Sequence, residues 1–320
     1  MIHTLLPEGY ASIAAFVGIL FAFLMTITAI SKLGNFLPKD IGRDFAHDGK
    51  LSAGKPRGAG IIFVLAFVVA AVLFIPFTAE NAIYLVLVII CMMTGFLDDA
   101  SKSPWGEYKK GFLDLCVAAL VAITFLHYNT SVVELAMFGV KFTMHPVVFA
   151  LLTVVLVWTS VNVTNCSDGV DGLSGTLTII SLMTIYIIDQ IRAVAGEFSF
   201  MILLFCVCIL GYLWYNATPS RLLMGDAGSR AMGLFISIAI LKTGCPFLYI
   251  PVSLVMILDG GLGLLKVSLI RFLKIHILNH VRTPLHDHVR KVWNWSNEQT
   301  VFRFAIIQII LAAAVIFAVQ

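Results

Sequence analysis

The 320-residue chain is predicted to be an all-α polytopic membrane protein. The expected architecture has about ten transmembrane helices, both termini outside, a bent ninth helix and a short outer-face hairpin. Three observations carry this. Hydrophobic residues make up 60% of the chain and charged residues only 12%, about half the charge of a soluble domain. The apolar residues fall in runs near the length needed to cross a bilayer. Lysine and arginine collect in alternate loops, which orients the chain.

In order, the spans are expected near Tyr10–Ile30, Gly58–Phe77, Ala82–Leu97, Gly111–Tyr128, Pro146–Val161, Leu173–Gln190, Phe198–Tyr215, Ser229–Lys242, Phe247–Phe272 and Thr300–Val319. The first run lacks a basic leader and reads as a retained helix. The basic loops hold Lys32, Lys39, Arg43, Lys50, Lys55 and Arg57, then Lys102, Lys109 and Lys110, then Arg221 and Arg230, then Lys274, Arg282, Arg290 and Lys291. The opposite loops hold little beyond Lys141, Arg192 and Lys242. The basic side is therefore cytoplasmic, and an even helix count puts both termini on the other side. Ser131–His145 alternates enough to form the hairpin, turning at Gly139. Asp259, Gly260, Gly261 and Gly263 interrupt the ninth run and allow a bend or break there. Lys274–Trp295 is polar and aromatic, as expected of an interfacial excursion with a short amphipathic helix. The six cysteines have no metal-ligand spacing and read as small buried hydrophobes. No soluble domain or repeat interrupts the pattern, so residues 1–320 are read as one integral-membrane unit.

The chemistry lies in four loops on the basic side. Asp98 and Asp99 end the third span, with Lys102 beside them. Adjacent carboxylates repel unless a cation neutralises them, and Mg²⁺ prefers oxygen ligands shared with substrate phosphates. A solvated helix end paired with Lys102 is the plainer reading of this loop alone. Asn165, Asp168, Gly169, Asp171 and Gly172 form the second loop, with glycines that let a ligand approach the backbone. The helix after Gly172 offers free N–H groups to an anion. Asn216, Pro219 and Gly225-Asp226 form the third, where Asp226 could equally be a helix cap. His286-Asp287-His288 forms the fourth, suited to phosphate contact or to a surface pair. Carboxylates gathered at a membrane face cost several kcal/mol without compensation. Their conjunction fits metal-assisted phosphoryl transfer, in which the protein positions groups and neutralises charge.

Phe96-Leu97-Asp98-Asp99 with Lys102, Asn165-Cys166-Ser167-Asp168-Gly169-Val170-Asp171-Gly172, Met224-Gly225-Asp226-Ala227-Gly228-Ser229 and Pro284-Leu285-His286-Asp287-His288 together resemble the polyprenyl-phosphate N-acetylhexosamine-1-phosphate transferase superfamily. The resemblance runs the length of the chain. The last motif, with Trp293 and Val301–Phe304, is most similar to the MraY (phospho-N-acetylmuramoyl-pentapeptide transferase) branch.

The resemblance implies Mg²⁺-dependent transfer of phospho-MurNAc-pentapeptide from UDP-MurNAc-pentapeptide to undecaprenyl phosphate, giving lipid I and UMP for peptidoglycan synthesis. It implies an inner-membrane enzyme with a cytoplasmic active site, membrane lipid around it, a homodimer, and no nucleic-acid partner. It implies catalytic roles for Asp98, Asp99, Asp226 and His286, with Asp98 a candidate base, and Asp226 and Asn165 as metal ligands. Lys50, Lys102, Lys110, Asn165, Asp168, Gly169, Asp171, Asn216 and His288 would bind substrate. Three departures stand out. Asp287 replaces a histidine, Leu223 replaces an aromatic that stacks on uracil, and the loop from His47 to Gly60 matches only with an insertion, so Lys50, Lys55 or Arg57 could carry its contact. A sibling transferase using UDP-GlcNAc is the nearest alternative. A transporter is a remoter one, disfavoured because most of the acids lie at helix ends rather than mid-span.

Overall fold

The structure, a computed structural model, describes residues 11–42, 52–101, 103, 105–194, 196 and 198–320. It is all-α apart from one hairpin. The helices are α1 (Ala11–Leu33), α2 (Gly60–Phe74), α3 (Ala79–Asp99), α4 (Glu107–Tyr128), α5 (Pro146–Cys166), α6 (Leu173–Arg192), α7 (Phe198–Asn216) and α8 (Gly225–Lys242). There follow a bent α9 (Pro246–Val252 and Leu254–Leu273), a short α10 (Leu285–Val292) and α11 (Asn297–Val319).

Among the described residues seven helices are long and apolar enough to cross a membrane, and eight if the two parts of α9 make one span. Two of the expected spans fall outside that set for physical reasons. Helix α2 has only 15 residues, short of the roughly 20 a bilayer needs. Helix α8 carries Asp226, Arg230 and Lys242 but is buried along nearly all its length. A helix wrapped by protein can carry charges that a lipid-facing one cannot, provided each has a partner. Here Arg230 pairs with Asp114 of α4, and Lys242 reaches Glu80 of α3 and Asn129, each at 3.0 Å.

Helix α8 is the axis of the bundle. An aromatic cluster anchors it to α2 and α7: Phe67–Phe205 centroids are 4.7 Å apart and Phe205–Phe235 centroids 4.5 Å. The outward faces of α1, α5 and α11 expose Phe16, Leu24, Leu151, Val155, Ile310 and Phe317, the surface expected to meet lipid. Side chains cap two of the helix starts. Thr78 accepts from Asn81 N–H at the start of α3, and Ser296 and Gln299 form a capping box at the start of α11.

The hairpin pairs β1 (Val132–Leu135) with β2 (Val140–Thr143) antiparallel, with Val133 opposite Phe142. Gly139, at φ 64°, makes the turn, as its position in the sequence suggests.

The bend in α9 departs from the expectation. Its two parts meet at 71° at Ser253, before the glycine run. The glycines instead form a π-helical turn, Ile257–Gly261. Backbone groups freed by a break inside a bundle must be satisfied there. Gln308 of α11, fully buried, does this: its Nε2 donates to Val252 O at 2.6 Å and its Oε1 accepts from Val255 N at 3.0 Å. Ser181 of α6 adds a bond to Val252 O at 3.0 Å. Gln308→Leu leaves the Val255 N–H unpaired and is expected to destabilise the protein by about 1–3 kcal/mol. Thermal unfolding in detergent measures it, and an unchanged midpoint would remove Gln308 from this role.

Candidate active site

The ends of α3, α5 and α7 meet the starts of α4, α6 and α8 at one pole of the bundle. A cavity of about 370 Å³ opens there. Its walls include Lys55, Arg57, Asn165, Asp171, Asp226 and Arg290.

Close backbone packing sets the position of Asp226. A Cβ on Gly95 of α3 would lie 2.4 Å from both C and O of Asp226. Gly225, at φ 68°, puts its Cα against Asp99, where a Cβ would fall 2.1 Å from Oδ2. That same Asp99 oxygen accepts from Ala227 N–H at 3.4 Å, so Asp99 caps the first turn of α8. Asp99 and Asp226 therefore belong to one rigid corner.

Cations surround the acids. Arg57 Nη2 lies 2.8 Å from Asp99 Oδ1 and 3.7 Å from Asp226 Oδ1. Lys110 Nζ pairs with Asp98 and lies 3.6 Å from Asp226 Oδ2. Trp105 N–H holds the other Asp98 oxygen at 2.7 Å. Asn165 lines the same cavity as Asp226, and its Nδ2 donates to Ser229 Oγ at 2.9 Å. Among the described residues no group of three or more His, Cys, Asp or Glu is placed to hold a metal. Mg²⁺ needs fewer protein ligands, commonly one or two carboxylates with substrate phosphates and water. Asp226 and Asp99, both reached by one guanidinium nitrogen, offer such a pair of hard oxygen donors, so the residues fit a Mg²⁺ ion.

The loop between α1 and α2 is stitched to the segment before α8. Leu223 N donates to Pro56 O at 2.8 Å, and Ala59 N to Leu223 O at 3.0 Å. This brings Lys55 to Ser220 Oγ at 2.9 Å and to Asp171 at 3.9 Å. Asp171 also accepts from Ser220 N–H at 3.2 Å. Of the three basic candidates in that loop, Lys55 and Arg57 line the cavity. Lys50 lies outside the described residues, as does Lys102.

Asn165, Asp168, Gly169, Asp171, Asn216 and Asp226 all reach the cavity wall. Asn216 is buried, with its amide engaged by backbone. Its Oδ1 accepts from Gly172 N at 2.8 Å and its Nδ2 donates to Leu222 O at 2.9 Å. It ties two loops together. The histidines behave differently from one another. His286 is buried on Asp259 of the π-helical turn, Nδ1 to Oδ2 at 2.9 Å, with its backbone N–H on the same carboxylate at 2.8 Å. A carboxylate only accepts, so Nδ1 carries the hydrogen and Nε2 faces Gly169, where a Cβ would lie 2.2 Å away. His288 turns from the cavity: Nδ1 accepts from Arg282 N–H at 3.2 Å, and its ring meets Trp293 edge-on.

Sequence reasoning gave no site role to Asp40 or Asn297, read Asp259 only as part of the break in the ninth run, and read Arg290 only as a basic loop residue. Arg290 bonds Asp287 at 2.8 Å and Asn297 at 3.0 Å, and reaches Gly169 O at 3.4 Å. Asp287, the departure inside the histidine motif, is thus the partner of a cavity arginine. The three-residue spacing on one helical face was the available signal.

Residues 81–244 match the family model described as glycosyl transferase family 4. A phospho-N-acetylmuramoyl-pentapeptide-transferase of Treponema pallidum (strain Nichols) is 40% identical over 304 residues, covering 89% of this chain and 84% of the relative. The chain belongs to the phospho-N-acetylmuramoyl-pentapeptide-transferase family. A protein of the same name from Thermotoga neapolitana is 28% identical, over 94% of this chain and 96% of its own. One from Nitratiruptor sp. is 25% identical, over 94% and 92%. Membership makes the chain an enzyme, a glycosyl-phosphotransferase, and its helices make it a multi-pass membrane protein.

Proposed function

We propose that the chain transfers phospho-MurNAc-pentapeptide from UDP-MurNAc-pentapeptide to undecaprenyl phosphate with Mg²⁺, releasing UMP and forming lipid I for peptidoglycan synthesis. The reaction takes place on the cytoplasmic face of a bacterial inner membrane. The observation that carries this reading is one cavity in which Lys55, Arg57, Asn165, Asp168, Asp171 and Asp226 converge at the mouth of a membrane bundle, in a chain 40% identical to a transferase of that name.

The contacts support the following roles. An oxygen of the lipid phosphate attacks the sugar-bearing phosphorus of the donor. The bond from that phosphorus to the bridging oxygen breaks, and UMP leaves with the bonding pair. Asp98, held by Lys110 and Trp105 N–H, takes any proton remaining on the lipid phosphate. Bound Mg²⁺, held by Asp226 with Asp99 and Asn165, would neutralise charge on the diphosphate and the leaving group. Lys110 faces both the lipid phosphate and the diphosphate. Asp171, presented by Ser220 N–H and Lys55, faces the base, and Asn216 keeps its loop in register. His286, fixed by Asp259, supports the backbone of Gly169 from behind.

Purified protein in detergent, given undecaprenyl phosphate with UDP-MurNAc-pentapeptide or UDP-GlcNAc, tests this. UMP release from the muramoyl donor alone, stopped by chelation and restored by Mg²⁺, is the expected result. Release from UDP-GlcNAc alone would move the chain to the sibling reaction. Release from neither, by folded protein, would refute the proposal.

A further inference from the structure

Asp226 has a cation on each oxygen: Arg57 on Oδ1 at 3.7 Å and Lys110 on Oδ2 at 3.6 Å. A divalent ion that takes this carboxylate must displace one of them or share with it. Arg57 is built for the exchange. Its backbone is fixed, with N–H on Pro38 O at 2.8 Å. Its Nη1 is tethered to Asp40 Oδ1 at 3.1 Å. Asp40 is itself buried and held by Ser52 Oγ at 2.5 Å and Gly42 N–H at 3.2 Å. Only the Nη2 edge touches Asp99 and Asp226. The side chain lines the cavity, so that edge can turn from the acids to a ligand while Nη1 stays on Asp40.

The charge is permanent. Burial alone would lower the Arg57 pKa, but Asp99, Asp226 and Asp40 outweigh burial and raise it. A guanidinium is also the group best shaped to grip a diphosphate.

We infer that Arg57 is an exchangeable counter-ion: its Nη2 edge neutralises Asp99 and Asp226 before the divalent ion arrives, and passes to the donor diphosphate once the ion holds those carboxylates, with Asp40 as the pivot. This rests on the reading that Asp226 binds a divalent ion. The exchange predicts opposite effects on two ligands. Removing Arg57 frees the carboxylates for a metal and deprives the diphosphate of a contact. A residue that merely kept the site folded would weaken both.

The test uses the full protein in detergent, with Mn²⁺ read by electron paramagnetic resonance and UDP as the diphosphate probe read by calorimetry. Arg57→Met is expected to bind Mn²⁺ alone about fivefold more tightly and UDP in the presence of Mn²⁺ about tenfold more weakly. Arg57→Lys keeps the charge without the fork, so Mn²⁺ affinity should stay near that of the parent while UDP affinity falls. It serves as the second variant if Arg57→Met does not fold. Asp40→Asn frees the pivot and should weaken UDP binding in the same direction as Arg57→Met. Mn²⁺ affinity unchanged or reduced in Arg57→Met, or UDP affinity unchanged in Arg57→Lys, would overturn the inference. Asp226→Asn separates the two questions. If it leaves Mn²⁺ binding intact, the metal reading itself fails, whatever Arg57 does.

Discussion

Asp226→Asn is expected to cut UMP release at least about a thousandfold, roughly 4 kcal/mol of transition-state stabilisation, while the protein stays folded. The substitution keeps the shape of the side chain and removes its charge. Asp226 sits where the first turn of α8 meets α3, with Arg57 and Lys110 on its two oxygens. An amide there is a poor ligand for a hard cation and no longer holds both cations toward the cavity. Stability should move the other way or not at all. Asp99 and Asp226 share Arg57 and repel each other at close range. With Asp226 neutral, Arg57 still has Asp99 and Asp40, and Lys110 still has Asp98. Turnover and thermal midpoint measured on the same preparation decide the matter. Activity within tenfold of the parent would remove Asp226 from the reaction. A large fall in midpoint would make the residue structural.

The parts of this molecule that sequence makes legible are those governed by nearest neighbours along the chain. Apolar runs, the Gly139 turn and the polar breaks that end in Asp98, Asn165 and Asp226 follow from periodicity and composition, and each appears close to where those signals put it. What escaped is set by contacts across the bundle. The α9 break lies at Ser253 because Gln308 and Ser181 satisfy the backbone there, and nothing in residues 246–273 announces a partner some fifty residues downstream in α11. The glycines at 260 and 261 looked like a hinge. Gly260 instead lets α9 approach α5, where a Cβ would lie 2.4 Å from Val163 O. Asp40 reads as one acid in a basic loop, and only the fold turns it onto Arg57. His286 and His288 stand two residues apart in one motif, yet the short α10 sends one ring to Asp259 and the other to Trp293. Motif membership therefore located the loop without telling where each ring points.

Gly95→Val is expected to damage both activity and stability, because α8 has no room to retreat. The added Cβ alone would lie 2.4 Å from C and O of Asp226 and 2.6 Å from Ala227 N, all backbone atoms. On the other flank α2 blocks escape: a Cβ on Gly60 would lie 2.0 Å from Gly228 N. At the far end Lys242 ties α8 to Glu80 of α3. Overpacking of this kind costs about 1–3 kcal/mol or more. The strain falls on the one turn that carries Asp226, whose cation contacts of 3.6 and 3.7 Å leave little margin. A displacement of about 1 Å in a positioned group can lower a rate about a hundredfold, so kcat should fall further than the loss of folded protein explains. Gly261→Ala makes the comparison, since a Cβ there meets its nearest neighbour at an ordinary 3.4 Å and should be close to neutral. Thermal midpoint and kcat per folded molecule, measured on both variants, separate a clamp on Asp226 from general intolerance of glycine substitution. Equal tolerance at the two positions would mean that α3 does not fix Asp226 by backbone contact.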